Sequence, residues 1–478
     1  MPATTIWIVV YTIAHLAVIV RAITLPDREP ASRAAWVLVL VFVPVVGIVA
    51  YLLFGEPWVA RRFRRKANAA TVEMASAACT DIPSTLDAVP DRFRSVFKAC
   101  ALLGDGRGSS GNRATLAADS NAAIDAMVRD FDQARETIHL SFYIWLADHN
   151  GLKVVDALRR AATRGVTCRV VADQIGSQAL IRSEHWEAMR KAGVGLCASM
   201  KLSLGLQLVF GSRIDLRNHR KIVVVDNRIA YCGSQNCADP EFRIKAKFAP
   251  WVDIMLRFEG PVVLQNQRLF ATHWMVETGE DAHALYDVPE PGAMPDGFPA
   301  IAFGTGPMSP KGAMTDVFVA LLYAAEREVV ISTPYFVPDA PLLAALTFCA
   351  RRGVATTLIL PARNDSWEVS AISKAHYPQL VEAGVRVFEF RGGLLHAKTL
   401  VVDRTVALVG SANMDRRSLD LNFENNTVLC SPEVSAEIRA RQDTYLAAAD
   451  AVSTTAVLQR PLPQRIWENV ITMFGPLF

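Results

Sequence analysis

The sequence predicts an α/β protein built from two similar halves and preceded by a transmembrane two-helix hairpin. Three observations predict it: a motif that recurs at matching offsets, strand and helix patterns that alternate twice in the same order, and two uncharged apolar runs at the N-terminus.

The hairpin comes first. Thr4 to Val20 carries no formal charge, and after a short polar loop Ala34 to Phe54 forms a second uncharged run. At ~1.5 Å per residue the second run gives ~30 Å of helix, the thickness of a bilayer core, while the first is borderline for a span. A cleaved signal peptide needs a basic start; Met1 to Thr5 has no Lys or Arg, and a second apolar run follows at once. Pro44 and Gly47 are tolerated inside a membrane helix and predict a kink. Arg61, Arg62, Arg64, Arg65 and Lys66 follow directly and complete a unit spanning 1–66. Positive charge beside a span marks the cytoplasmic side, which predicts a multi-pass cell-membrane protein whose remaining chain faces the cytoplasm. The cluster itself either contacts anionic lipid or is a solvated topology signal.

Residues 67–110 read as a helical connector closing on the turn-rich GDGRGSSGN. The halves, 111–290 and 291–455, then share one order of elements. ETIHLSFYIW reads as a strand, VVDALRRAATRG as a helix and VTCRVVAD as a strand; REVVISTPYF, LLAALTFCARRG and VATTLILPA repeat them. Both helices end in Arg-Gly-Val, and KAGVGL at Lys191 corresponds to EAGVRV at Glu382. This order predicts a largely parallel sheet in each half. The first half carries an extra apolar segment, roughly Cys197 to Leu216, which either borders the substrate entrance or is a surface loop. The tail, 456–478, sets Trp467, Val470, Ile471 and Phe474 at helical spacing, for a place on the membrane surface or against the domain.

The repeated motif carries the chemistry. Asn218–Asn236, NHRKIVVVDNRIAYCGSQN, and Leu395–Asn413, LHAKTLVVDRTVALVGSAN, align His219, Lys221, Asp226, Gly233, Ser234 and Asn236 with His396, Lys398, Asp403, Gly410, Ser411 and Asn413. IVVVD and TLVVD read as buried strands opening with the His and Lys, which two residues apart point to one face. Two His, two Lys and two Asn brought to one centre make an anion site containing a nucleophile. Imidazole attacks phosphorus to give a phosphohistidine, and the second histidine protonates the leaving alkoxide, then activates the incoming hydroxyl. Ser234 and Ser411 are placed with Asn236 and Asn413 on the substrate. No carboxylate cluster of the kind that holds Mg²⁺ or Ca²⁺ accompanies the motifs, so metal-free chemistry with no cofactor is expected. Asp253, in PWVDIMLRF, and Glu424, in LNFENN, lie at similar distances downstream of His219 and His396 and are the candidates for orienting the rings. Asp226 and Asp403 complete the catalytic motifs; each ends its strand and is expected to hold a loop near the site.

Composition narrows the partners. A formal charge of +3 over 478 residues excludes a general nucleic-acid binder with a broadly basic surface. The eight cysteines are scattered, with no C-x-x-C pair, and read as reduced core residues.

The paired His-x-Lys-x-x-x-x-Asp with its following Gly-x-x-Asn resembles the phospholipase D superfamily. Nearly the whole chain, including PVVGIVAYLLFG, the YIW strand and GSANMDRRSLDLNFE, is similar to bacterial cardiolipin synthases of that superfamily. Gly233-Ser234 departs from the Gly-Gly of many of these synthases. The resemblance implies two phospholipase D-like α/β halves packed about a pseudo-twofold axis with the site at their interface, His219 as nucleophile and His396 as acid/base; the sequence alone leaves that choice open. It further implies phosphatidyl transfer between two phosphatidylglycerol molecules in an anionic membrane. A phospholipase D or another phosphatidyltransferase, using water or a different alcohol, is the alternative.

Overall fold

The computed structural model describes residues 3–25, 30–55, 86–104, 108–200, 215–281 and 283–474. The basic cluster 61–66, residues 67–85 of the connector and residues 201–214 of the extra segment lie outside these. At the N-terminus α1 (Ala3–Thr24) is 22 residues long and apolar enough to cross a bilayer, with 6% of its most apolar window buried. The second run, expected to be the better span, is divided: α2 (Pro30–Phe42) stops at Val43, α3 (Pro44–Ala50) begins at the proline, and a π-helical turn, Tyr51–Gly55, closes it. Pro44 cannot donate the bond that would continue α2, so the continuous helix breaks there. A Cβ on Gly47 would lie 2.8 Å from the Val39 carbonyl oxygen, so glycine lets the two pieces close on each other. Trp36 and Tyr51 meet edge to face at 5.3 Å, with Ala22 and Leu40 buried beside them.

The first half contributes β1 (Ser109–Leu116), β2 (Thr137–Phe142), β3 (Thr167–Asp173), β4 (Gly195–Ser199), β5 (Ile222–Val225), β6 (Ile229–Gly233), β7 (Trp251–Val252) and β8 (Met255–Glu259). The second contributes β9 (Phe298–Thr305), β10 (Glu328–Ser332), β11 (Ala355–Pro361), β12 (Arg386–Phe390), β13 (Leu394–Leu395), β14 (Thr399–Val402), β15 (Val406–Gly410), β16 (Glu424–Cys430) and β17 (Ala449–Ala451). A 15-stranded sheet runs through both halves. From the β9–β1 pair outward its order is β1-β8-β6-β5-β2-β3-β4 on one side and β9-β16-β15-β14-β10-β11-β12, edged by β17, on the other. Corresponding strands sit at corresponding places, which is the pseudo-twofold in strand order.

The sheet is mixed, which corrects the expectation of largely parallel halves. Only β2–β3–β4 and β10–β11–β12 are parallel within it, because helical crossovers join them. The motif strands are joined by tight turns at Asp226-Asn227 and Asp403-Arg404, all four residues at positive φ, so β5–β6 and β14–β15 are antiparallel. Their IVVV and TLVV sequences are buried on both faces, as a strand covered from two sides requires. One apolar cluster joins Ile222, Val224 and Leu256 to Ala302, Val401 and Val409, tying the halves across the seam. The seven described cysteines are free and buried.

Candidate active site

Each motif approaches its strand from the seam between the halves. The His219 N–H donates to Phe423 O at 2.9 Å, and the His396 N–H to Val252 O at 2.8 Å. β13 pairs in parallel with β7, and Asn218 bridges Phe423 in the same sense. Each His-x-Lys segment therefore runs beside the strand that carries the other half's carboxylate.

The ring pairing is crossed as a result. Glu424 accepts from His219 Nδ1 at 2.8 Å, and Asp253 accepts from His396 Nδ1 at 2.6 Å. Distance along the chain does not say which carboxylate serves which histidine; the seam pairs each with the histidine of the other half. With Nδ1–H committed, the lone pair of each imidazole lies on Nε2, which bonds to no described residue. Burial pushes both histidines down to about 4 although their carboxylates pull the other way, so both are neutral near pH 7. Burial alone would raise the carboxylates. His219 and Lys221 outweigh it at Glu424, and His396 and Lys398 at Asp253, so both stay below the usual carboxylate range.

The lysines complete the charge pattern. Lys221 is fully buried and its Nζ donates to His219 O at 2.7 Å; Lys398 Nζ donates to His396 O at 2.6 Å. Each ammonium keeps two N–H donors for a ligand. Burial lowers Lys221 to about 8, and burial with the charge of Lys221 takes Lys398 well below its ordinary value. The lysines and the two carboxylates face one another across two neutral imidazoles, with Arg220 acting on Glu424, Asp173 on Lys221 and Asp415 on Lys398.

The serines and aspartates do other work than expected. Ser234 Oγ donates to Asp253 at 2.6 Å, and Ser411 Oγ donates to Glu424. Both serines are fully buried behind the carboxylates, so they orient those groups and do not face substrate. Glu424 also accepts from Ser418 at 2.8 Å and from Asn422 at 3.3 Å. Asp226 accepts the backbone N–H groups of Arg135, Glu136 and Thr137 at 2.8–2.9 Å. Asp403 does the same for Glu326, Arg327 and Glu328 at 2.8–3.0 Å. Both lie at the far ends of β5 and β14, seven residues past the histidines and beyond a four-residue strand of ~13 Å at ~3.3 Å per residue. They clamp the starts of β2 and β10; the expectation that they hold loops near the site is corrected.

Asn236 accepts the Ile144 N–H at 3.2 Å through Oδ1, leaving its NH₂ to donate. Asn413 gives one N–H to Asp415 at 3.2 Å. The motif glycines are demanded by close approach: a Cβ on Gly233 would stand 2.2 Å from Ile254 O, and one on Gly410 2.2 Å from Asn426 Oδ1. Aromatic walls were missed. The Tyr143 ring stands edge-on to His219 at 5.1 Å, and the Trp251 ring lies 4.7 Å from His396. Superposing the two repeats by their Glu136 and Glu328 strands sets Tyr143 opposite Tyr335, a signal that would have found the first of these rings.

Two histidines that expose Nε2 beside two buried ammoniums, on duplicated α/β halves, define a phospholipase D-type site. The family described as "Cardiolipin synthase, PLD-like domain" matches residues 127–254 and 318–445, and the one described as "Phospholipase_D-nuclease N-terminal" matches 13–56. The chain is 36% identical to cardiolipin synthase A of Escherichia fergusonii over 482 residues, 98% of each chain. It is 37% identical to cardiolipin synthase A of Klebsiella pneumoniae subsp. pneumoniae over 483 residues, again 98% of each. Among solved structures, the phosphatidylserine synthase of Haemophilus influenzae Rd KW20 shares the fold, with a TM-score of 0.60 at 13% identity, over 80% of this chain and all of that one. This chain belongs to the cardiolipin synthase family of phospholipase D-like proteins.

Proposed function

We propose that the chain is a membrane-bound cardiolipin synthase, transferring a phosphatidyl group from one phosphatidylglycerol to the hydroxyl of a second and releasing glycerol. Family membership over nearly the full length supports the reaction. The observation that carries the mechanism is the crossed pair of oriented histidines, His219–Glu424 and His396–Asp253, each with Nε2 open.

In this reading His219 Nε2 attacks phosphorus, forming a P–N bond as the bond to the glycerol oxygen breaks. His396 Nε2 protonates that oxygen, and glycerol leaves. The second phosphatidylglycerol gives its hydroxyl proton to His396 as its oxygen attacks phosphorus, and the P–N bond breaks to release cardiolipin and free His219. Charge supports His396 as the proton carrier. A bound phosphodiester adds one negative charge beside two neutral imidazoles, and that charge favours one imidazolium. Glu424 spreads its charge over Ser411, Ser418 and Asn422 as well as His219, whereas Asp253 bonds to Ser234 and His396, so the proton is better held at His396. Lys221, Lys398 and the Asn236 amide are placed to neutralise the equatorial oxygens.

The apolar α1 supports a cell-membrane location, and the basic residues after the hairpin support a cytoplasmic catalytic portion in a multi-pass arrangement. The test is lipid analysis of the purified chain with phosphatidylglycerol alone in micelles and excess EDTA, beside His219→Ala. Cardiolipin and glycerol formed in the chelator, and absent in the variant, support the proposal. Phosphatidic acid in their place would make the acceptor water and the enzyme a phospholipase.

A further inference from the structure

The tail helix Leu462–Phe474 buries its one acidic residue and leaves most of its apolar residues exposed, beside the exposed Gln464, Arg465 and Asn469. Its charged Glu468 is 5% exposed and faces the protein, paired with Arg460 at 2.9 Å. Arg460 in turn donates to the Lys374 carbonyl at 2.7 Å and lies over the Tyr377 ring, both on the helix Trp367–Glu382. Facing out are Leu462, Ile466, Trp467, Val470 and Met473, with Trp467 54% exposed and stacked at 6.1 Å on Trp367, itself 59% exposed. A helix of a water-facing surface turns the other way. An apolar stripe of this kind is covered by another apolar phase.

The stripe adjoins the mouth of the site. His396 precedes β14, whose Thr399 pairs with Ser332 at the C-terminal end of β10, so the histidine lies past that end. Tyr335 follows β10 there and donates to Asp365 at 2.7 Å, and Asp365 also takes Lys245 at 2.5 Å. Trp367 starts its helix just after Asp365, and Ile244, beside Lys245, is 61% exposed. The Lys245–Asp365 pair brings the chain at Ile244 towards Trp367, and Trp367 stacks on the tail stripe; these exposed apolar residues, with the exposed bases Arg243, Lys247 and Arg465 near them in sequence, make up a rim.

We infer that this rim is an interfacial docking surface that rests in the headgroup layer of the bilayer and holds the active-site mouth against it. The inference rests on the lipid-substrate reading above. The occupant is a bilayer because the same chain carries α1, which needs one; because indole rings partition to the interface; and because the flanking bases suit anionic headgroups.

The test uses the full chain, held in vesicles of phosphatidylglycerol and phosphatidylethanolamine by α1, as wild type and as the Ile466→Glu/Trp467→Glu double variant. Turnover is measured on the vesicle lipid and on monomeric dihexanoyl phosphatidylglycerol. Docking predicts a drop of about tenfold or more on vesicles with the monomeric rate kept within about twofold, and quenching of Trp467 emission by brominated lipid, read as wild type minus Trp467→Phe. Equal vesicle turnover, loss on both substrates, or an unquenched Trp467 overturns it, as does a double variant that merely converts a dimer to a monomer. A wild type that forms no cardiolipin from either substrate counts against the synthase reading instead, and the quenching measurement then decides docking without it.

Discussion

His219 and Glu424, 205 residues apart in the chain, meet at 2.8 Å because the first motif lies along β16 of the other half. Neither half thus contains a complete histidine–carboxylate pair.

The two pairs are expected to fail differently. Asp253→Asn, which weakens the proton carrier, should slow both steps that His396 serves, departure of glycerol and activation of the incoming hydroxyl, while His219 stays oriented to attack, so the turnover that remains still passes through a phosphatidyl-enzyme on His219. Glu424→Gln should depress formation of that adduct. Turnover falls by about 10²-fold or more in each, the scale of losing a histidine's orienting carboxylate. Mass spectrometry of acid-quenched enzyme reads the adduct, and accumulation in Glu424→Gln with none in Asp253→Asn reverses the assignment.

Substrate binding should take up a proton. A diester monoanion bound beside two neutral imidazoles is expected to draw about one H⁺ onto them near pH 7. Titration calorimetry with dimethyl phosphate in buffers of differing ionisation enthalpy measures it; binding heats independent of the buffer would mean both imidazoles stay neutral.

Asp226→Ala and Asp403→Ala should act on stability. Each leaves three backbone N–H groups without their charged acceptor, worth about 3 kcal/mol together after partial rehydration. The thermal midpoint falls, while kcat of the folded fraction stays within about threefold, since these residues sit a strand's length from the chemistry. A large kcat loss with an unchanged midpoint would restore them to the catalytic set.

Acid should destabilise the protein below pH 6.5. Burial holds His139, His219 and His396 down to about 4 and His273 to about 3. Between these values and 6.5 the unfolded chain binds protons that the folded one refuses, so stability falls with falling pH, by ~1.4 kcal/mol per pH unit for each such histidine. Thermal midpoints from pH 7.5 to 4.5 show the slope. His139→Gln, away from the site, flattens it; an unchanged slope in that variant would mean His139 is protonated when folded.

What could be read from the sequence was whatever is local. His219, Lys221, His396 and Lys398 declare themselves because a repeated motif and the two-residue period of a strand fix which side chains share a face. Asp253 and Glu424 were recognisable as carboxylates too costly to bury unpaired, but their partners were not, because each carboxylate lies at a similar distance downstream of a histidine and only the contacts across the seam, β7 with β13 and Asn218 with Phe423, choose between them. Asp226 and Asp403 were misplaced because a strand's length separates the ends of the motif, and adjacency in sequence hides it. The mixed sheet was missed at the Asp226-Asn227 and Asp403-Arg404 turns, where residues other than glycine take the left-handed conformation. The division of the second apolar run falls at Pro44, where the sequence already pointed to a kink, because proline's missing N–H is itself a local signal.

The mirrored strand order about β9–β1 has an evolutionary consequence. A protein of one half would need a second copy to supply the missing carboxylate, and every mutation would appear in both sites at once. Fusion of two copies into a single gene removes that constraint. Each repeat is then free to change on its own, and the acid facing the other half's histidine is Asp253 in one repeat and Glu424 in the other.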